Sequence, residues 1–322
     1  MKRLFLCLVL IVALVVVGSV FVTQQYRKPG PLDQPVTLVI GKGSGRIAIA
    51  QELKSAQVIS SKWMFVAFSH ITRGPPLKAG EYAFPAHLSL QDVITLLQSG
   101  RVVIHHITIP EGLTSFQIEA LLRAEPALSG TIDVLPPEGS LLPETYNFVL
   151  DDTRAGLLTR MKTADTAFLA QAWQKRAANL PYKNIAEAVT LASIVEKETG
   201  VPEERAKVAA VFLNRLKQGI RLQSDPTVIY ALAGGQGPLD RPLTHQDLAV
   251  ASPYNTYVSP GLPPGPICNP GRAAIEAVLH PDANGYLYFV ATGNGGHAFA
   301  ATLEEHNRNV AQWLNVMHNH PQ

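Results

Sequence analysis

Leu191-Ala192-Ser193-Ile194-Val195-Glu196-Lys197-Glu198-Thr199-Gly200 is the stretch on which the reading of this chain turns. Its apolar spacing predicts a helix from about Ile185, closed by Gly200, with Pro202 just beyond. On that helix Glu196 falls beneath Val189, Ala192 and Ser193, a small and mostly apolar strip. Glu198 lies two residues on, about 200° around the wheel, so the two carboxylates point apart and cannot form a close acid pair. A carboxyl group on an apolar strip has a raised pKa, because burial disfavours its charged form. That suits a general acid at neutral pH. The plainer reading is a helix-edge glutamate held by a lysine or arginine.

The surrounding chain is an α+β sequence of 322 residues, long enough for one large domain and a small one. Its formal net charge of +2 gives no electrostatic case for nucleic acid. Leu4–Val22 is a run of 19 uncharged, nearly all apolar residues, close to the ~20 needed to cross a bilayer. A cleaved signal peptide has a shorter apolar region, ~7–15 residues, ending in small residues of A-x-A type. An uncleaved anchor is therefore the expectation, with Lys2 and Arg3 inside and the bulk exported. Arg27 and Lys28 at the far flank weaken that orientation without reversing it. Cys7 lies in the membrane run and Cys268 in the exported part, so the fold does not lean on a disulfide.

Residues 1–28 thus read as a cytoplasmic stub and anchor, and the proline-rich 29–35 as a stiff linker. Residues 36–103 form a compact α+β unit. Val36–Ile40 alternates as a strand, Arg46–Ser55 and Ser61–Ile71 are helical, and Tyr82 and Phe84 flank a second strand. Ser89 caps a further helix with Asp92 at its third position, and Gly100 stops it. Val102–Ile109 then reads as a strand, and Thr114 with Gln117 makes a capping box.

From 104 to 322 the pattern is that of a larger mixed domain. Thr153–Asn179 has helical spacing, and Glu203–Lys217 is a helix whose acidic start and basic end suit its dipole. Asp225 before Pro226 signals an N-cap and first helical turn, so a structural role competes with any catalytic one. Pro253–Gly271, with seven prolines and glycines in Pro260–Pro270, must be irregular backbone. Tyr286–Ala291 and His297–Ala301, joined by a Thr292–Gly296 turn, read as a hairpin before a last helix, Glu304–Met317.

Much familiar chemistry is missing. Gly41-Lys42-Gly43-Ser44-Gly45 lacks both phosphate-binding patterns, and the histidines are scattered, two of them (His318 and His320) in the tail. No metal or other cofactor is expected. No Gly-x-Ser-x-Gly or Ser-x-x-Lys occurs, and Cys268 reads as a packed or solvated thiol. Carboxylate chemistry remains.

Four segments now make a pattern: Ala192–Thr199, Leu222–Tyr230 (Leu-Gln-Ser-Asp-Pro-Thr-Val-Ile-Tyr), Tyr254-Asn255-Thr256-Tyr257, and Gly261–Ile267. In this order, over about 75 residues, they resemble the YceG-like family, the MltG-type endolytic murein transglycosylases. Lys78–Tyr82 resembles that family's LysM-like subdomain, which would place 36–103 as LysM-like and 104–322 as catalytic. The resemblance implies a single-pass inner-membrane protein with its catalytic domain outside. Such a protein cuts the MurNAc–GlcNAc β-1,4 bond within nascent glycan strands, ending elongation and leaving 1,6-anhydro-MurNAc ends. Its catalytic glutamate corresponds to Glu196. Glu198 would position or pack. Gln223, Asn255 and Tyr257 would hold acetamido and hydroxyl groups or serve loop structure, and Asp225 would orient the site or cap its helix.

The loop Gly139–Tyr146 departs from the family's more aromatic version, which puts its sugar contacts in question. Partners implied are peptidoglycan strands and membrane peptidoglycan synthases. Two rival readings stand: a lysozyme-like hydrolase with Asp225 or Glu144 as second carboxylate, and a non-enzymatic wall-binding scaffold.

Overall fold

The computed structural model describes residues 2–72, 74–293 and 295–319. His320 and the residue at the tip of the Thr292–Gly296 turn lie outside the described residues, as does the side chain of Cys7. The architecture is mixed α+β, and the chain divides into two compact units, 1–105 with 148–151, and 106–147 with 152–322.

The first unit opens with α1 (Lys2–Arg27), whose window Leu8–Arg27 is long and apolar enough to cross a membrane. None of that window is buried by protein. Strand β1 (Val36–Ile40) pairs antiparallel with β2 (Gly80–Phe84), placing Leu38 opposite Tyr82 and Val36 opposite Phe84. The alternation turns Ile40 inward and Val39 out. Helices α2 (Arg46–Ser55), α3 (Lys62–Ile71) and α4 (Leu90–Ser99) cover the ribbon. Leu53, Phe65, Tyr82, Phe84, Val93 and Leu97 are fully buried between them. The Ser89 hydroxyl accepts the Asp92 N–H at 3.2 Å, and Gly100 ends α4 at φ 72.

The second unit is larger. Strand β3 (His105–Thr108) is shorter than the expected Val102–Ile109 and pairs with β4 (Thr145–Phe148). Between them α5 (Ser115–Ala124) starts on the full Thr114–Gln117 capping box. Helix α6 (Arg154–Lys175) stops four residues before the expected Asn179, where the Arg176 guanidinium bonds the Trp173 carbonyl.

Helix α7 (Ile185–Glu198) is the spine. Ala188 through Val195 are all buried, because α8 (Arg205–Lys217), α9 (Asp225–Ala233) and α10 (Arg272–Leu279) pack around it. Burying each large aliphatic side chain here is worth about 1.5–3 kcal/mol, and Leu191, Ile194, Val208 and Val278 are all at 0% exposure. Gly200 is not the residue that ends α7. The chain leaves at Thr199 in extended conformation (φ −141°, ψ 130°), so no left-handed turn is needed.

Asp225 is likewise not an N-cap. Ser224 holds that position, and Asp225 is the first helical residue. The hairpin of β5 (Tyr288–Ala291) and β6 (His297–Ala300), followed by α11 (Leu303–Asn319), completes the unit. The segment between Val250 and Gly271 is irregular throughout, yet Asn255, Thr256, Ile267, Cys268 and Asn269 within it are buried.

Candidate active site

Glu196 stands in the last turn of α7, directly after the buried run. Its side chain is 6% exposed. The carbonyls at a helix C-terminus carry partial negative charge, which disfavours an ionised carboxylate there. Oε2 accepts the Gly271 N–H at 2.8 Å, and Oε1 stands 3.8 Å from Arg205 Nη2. The same nitrogen is 3.8 Å from Glu111 Oε2, so one guanidinium is shared loosely by two carboxylates.

Burial raises the Glu196 pKa above its ordinary value. The Gly271 N–H opposes that rise, Glu111 adds to it, and Arg205 and Lys197 oppose it. The mostly apolar strip expected beneath Glu196 is thus only part of its setting: desolvation leads, against two nearby cations. The ion pair is loose, and the glutamate is not neutralised by it.

Two loops distant in sequence hold this arrangement. Gly112 N–H donates to the Asn269 carbonyl at 3.0 Å, and Asn269 N–H donates back to Leu113 O at 2.9 Å. The fully buried Asn269 amide bonds Leu113 O and Ser115 Oγ, and its oxygen accepts the Leu141 N–H. Position 271 has to be glycine for Glu111 to lie where it does, since a Cβ there would sit 1.8 Å from Glu111 Oε1. Gly112, at φ +77°, brings its backbone against the Glu196 and Lys197 stems.

Glu198 faces another way, as its place on the wheel requires. Its Oε1 accepts the Ser224 hydroxyl at 2.5 Å. Burial pushes its pKa up to about 7, the Ser224 bond opposing, Asp225 adding, and His297 and Arg215 opposing. Asp225 Oδ1 accepts the Tyr257 hydroxyl at 2.6 Å. Glu198, Ser224, Asp225 and Tyr257 thus form one cluster around the start of α9, while Gln223 is exposed beside it at φ +51°.

Asn255 belongs elsewhere. Its amide donates to Leu248 O and Val250 O, and its oxygen accepts the Tyr257 N–H, so its polar groups staple the loop. Glu144 pairs with Arg272 at 2.6 Å. Cys268 is fully buried, its thiol donates to Ser193 O, and burial pushes its pKa up, which fits a packed thiol. No His/Cys/Asp/Glu group that could hold a metal occurs among the described residues.

Sequence reasoning missed Glu111, Arg205 and Gly271. The Pro110-Glu111-Gly112 turn after β3 was the one available sign, a charge placed at a tight backbone approach.

Comparison with known proteins bears on this geometry. The model of the YceG-like family matches residues 38–312. A Bacillus subtilis (strain 168) protein named endolytic murein transglycosylase is 32% identical over 334 residues, covering 94% of this chain and 91% of its own. A protein of the same name from Streptococcus pneumoniae serotype 2 (strain D39) is 31% identical over 330 residues. That alignment takes in 87% of this chain but 58% of the streptococcal one. The crystal structure of a yceG-like protein from Listeria monocytogenes superposes with a TM-score of 0.54 at 33% identity, covering 85% of this chain and 98% of that one.

Proposed function

The chain belongs to the YceG-like family, and from that premise we propose that it is an endolytic peptidoglycan lytic transglycosylase with Glu196 as its acid and base. The observation that carries the mechanism is a buried carboxyl group whose pKa is raised, fixed by one backbone N–H. The protonated Glu196 gives its proton to the glycosidic oxygen as the C1–O bond breaks, and an oxocarbenium-like centre develops at the MurNAc anomeric carbon. The resulting carboxylate takes the proton of the sugar's own C6 hydroxyl, whose oxygen closes on C1. One bond to C1 is exchanged for another, the proton returns to Glu196, and no water is consumed. Gly271 N–H holds the carboxyl group in place through both halves, and Arg205 stabilises it while it is charged.

We place Gln223 and Tyr257 along the glycan path and give Glu198 and Asp225 a positioning role around Ser224. The start of the chain fits a single membrane span with the catalytic unit on the periplasmic or outer side. On this reading residues 36–103 are a LysM-like subdomain, 104–322 the transglycosylase domain, and the membrane peptidoglycan synthases that make nascent strands are its neighbours.

One observation favours a second reading. Glu111 and Glu196 share an arginine nitrogen by two 3.8 Å legs, so their oxygens lie within about 7.6 Å of each other. That ceiling admits both the separations of about 6.5–9.5 Å used by inverting hydrolases to activate water and the shorter ones of about 5–5.5 Å used by retaining enzymes. Glu111 therefore replaces Asp225 and Glu144 as the second carboxylate of a hydrolase. The experiment is digestion of purified glycan by the wild type and Glu196→Gln side by side. Loss of cutting in the variant is expected; undiminished cutting overturns the assignment of Glu196.

A further inference from the structure

A cavity of about 590 Å³ lies among α6, the start of α8 and α10. It is lined by Phe168, Lys175, Arg205, Arg272, Glu276 and His280, with small alanines between them. It abuts the candidate acid from two directions. Arg205 reaches Glu196 at 3.8 Å, and Arg272 follows Gly271, whose N–H binds the same carboxyl group.

Three permanent cations and one carboxylate line it, Arg272 being paired with Glu144 and Arg205 shared between Glu111 and Glu196. Arg205 and Lys175 keep spare capacity. Arg205 has a buried Nε without a hydrogen-bond partner, and its Nη2 is divided between two carboxylates at the edge of pairing distance. Lys175, exposed in the last turn of α6, has no acidic partner among the described residues. Arg272 is held by Glu144 and lies over the Phe168 ring at 4.4 Å, which fixes one wall. The Lys175 ammonium is a charged donor suited to a carboxylate, as is the Arg205 guanidinium, whose Nη2 is only loosely held, and the cavity volume lies within the ordinary range of ligand sites, about 300–1,000 Å³.

We propose that this cavity is a subsite for the carboxylate-bearing peptide substituent of the amino sugar next to the cleaved bond. The proposal rests on the transglycosylase reading and deepens it. The peptide's carboxylates lie against Lys175 and Arg205, its small side chains lie on Ala206, Ala273 and Ala277, and the sugar that carries it is thereby set at Glu196. The site then distinguishes glycan that bears peptides from glycan stripped of them.

The test uses the whole protein in detergent with two substrates from one preparation, peptide-bearing glycan and the same glycan after amidase removal of its peptides. Wild type and Lys175→Glu are compared by kcat/KM on each, with Lys175→Met as a milder variant at this exposed position. Wild type should prefer the peptide-bearing polymer, and Lys175→Glu should lower that preference about fivefold or more, mainly through KM, with Lys175→Met between them. Equal wild-type efficiency on the two substrates, or an unchanged preference in Lys175→Glu, overturns the subsite while leaving the transglycosylase reading intact. Failure of the wild type to cut either polymer overturns that reading and the subsite with it.

Discussion

Glu111→Gln is the perturbation that probes the electrostatics of the site most cleanly. The substitution keeps shape and removes one negative charge within about 7.6 Å of Glu196, a bound fixed by the two 3.8 Å contacts to Arg205. At that outer limit two unit charges interact by about 2 kcal/mol at an effective dielectric of 20, and by about 0.5 kcal/mol in water. Glu111 is 42% exposed, so solvent screening draws the value toward the lower figure. Glu111 raises the Glu196 pKa, and its loss also frees Arg205 to turn wholly to Glu196, so both effects lower that pKa. Both effects therefore act in one direction, with of order 1 kcal/mol less holding the proton on Glu196.

A general acid is lost as pH rises through its pKa, so the alkaline limb of the kcat/KM profile should move to lower pH. At a fixed pH on that limb, cutting should slow about threefold to tenfold. The assay is the initial rate of release of soluble fragments from purified glycan across the pH range. A limb that stays put, or moves to higher pH, refutes the placing of Glu111 as a charge that adds to the effect of burial on Glu196. Complete loss of cutting at every pH points instead to Glu111 as a required second carboxylate.

Gly271→Ala should reproduce much of that effect, because its Cβ would meet the mobile end of Glu111 at 1.8 Å and drive it outward. The backbone there (φ −75°, ψ 170°) accepts alanine, so a thermal melt should show a loss below about 1 kcal/mol; a loss above about 3 kcal/mol means the glutamate cannot yield. Glu198→Gln tests linkage. The folded protein holds a proton on Glu198 up to about 7, against an ordinary 4.5. Stability from this residue is therefore fully present below 4.5, falls as pH rises through that window, and stays lower above it, by about 3 kcal/mol at most. Urea titrations at several pH values should find that fall blunted in Glu198→Gln, and an identical pH dependence in the two proteins contradicts the assignment. Asn255→Ala strips three hydrogen bonds made by a fully buried side chain and should cost about 2–4 kcal/mol in urea unfolding; normal stability with lost activity would instead make Asn255 a sugar contact.

How much of this was written in the sequence depends on how local the cause is. The direction of Glu196 and Glu198 follows from the helical repeat alone, and the structure sends them to separate clusters. The caps at Ser89 and Thr114 were legible because a cap is a matter of three neighbouring residues. Asp225 misled for the same reason. Its pairing with Pro226 has the local form of a cap, but Ser224 gives its hydroxyl to Glu198, and Asp225 accepts the hydroxyl of Tyr257, 32 residues on. Glu111, Arg205 and Gly271 carry no periodic signal, since what joins them is a meeting of loops about 160 residues apart through Asn269. Asn255 was visible as a polar residue in an irregular loop, but whether its amide turned inward was decided by which carbonyls the loop left unpaired.

The central claim is that the sugar supplies its own nucleophile, so that water takes no part in the cut. Digestion of peptidoglycan glycan in oxygen-18 water, followed by mass analysis of the newly formed MurNAc ends, tests it directly. The account predicts ends lighter by one water than a reducing sugar and free of the heavy isotope. Reducing ends that carry oxygen-18 would contradict it, and would make Glu111 and Glu196 the paired carboxylates of a hydrolase.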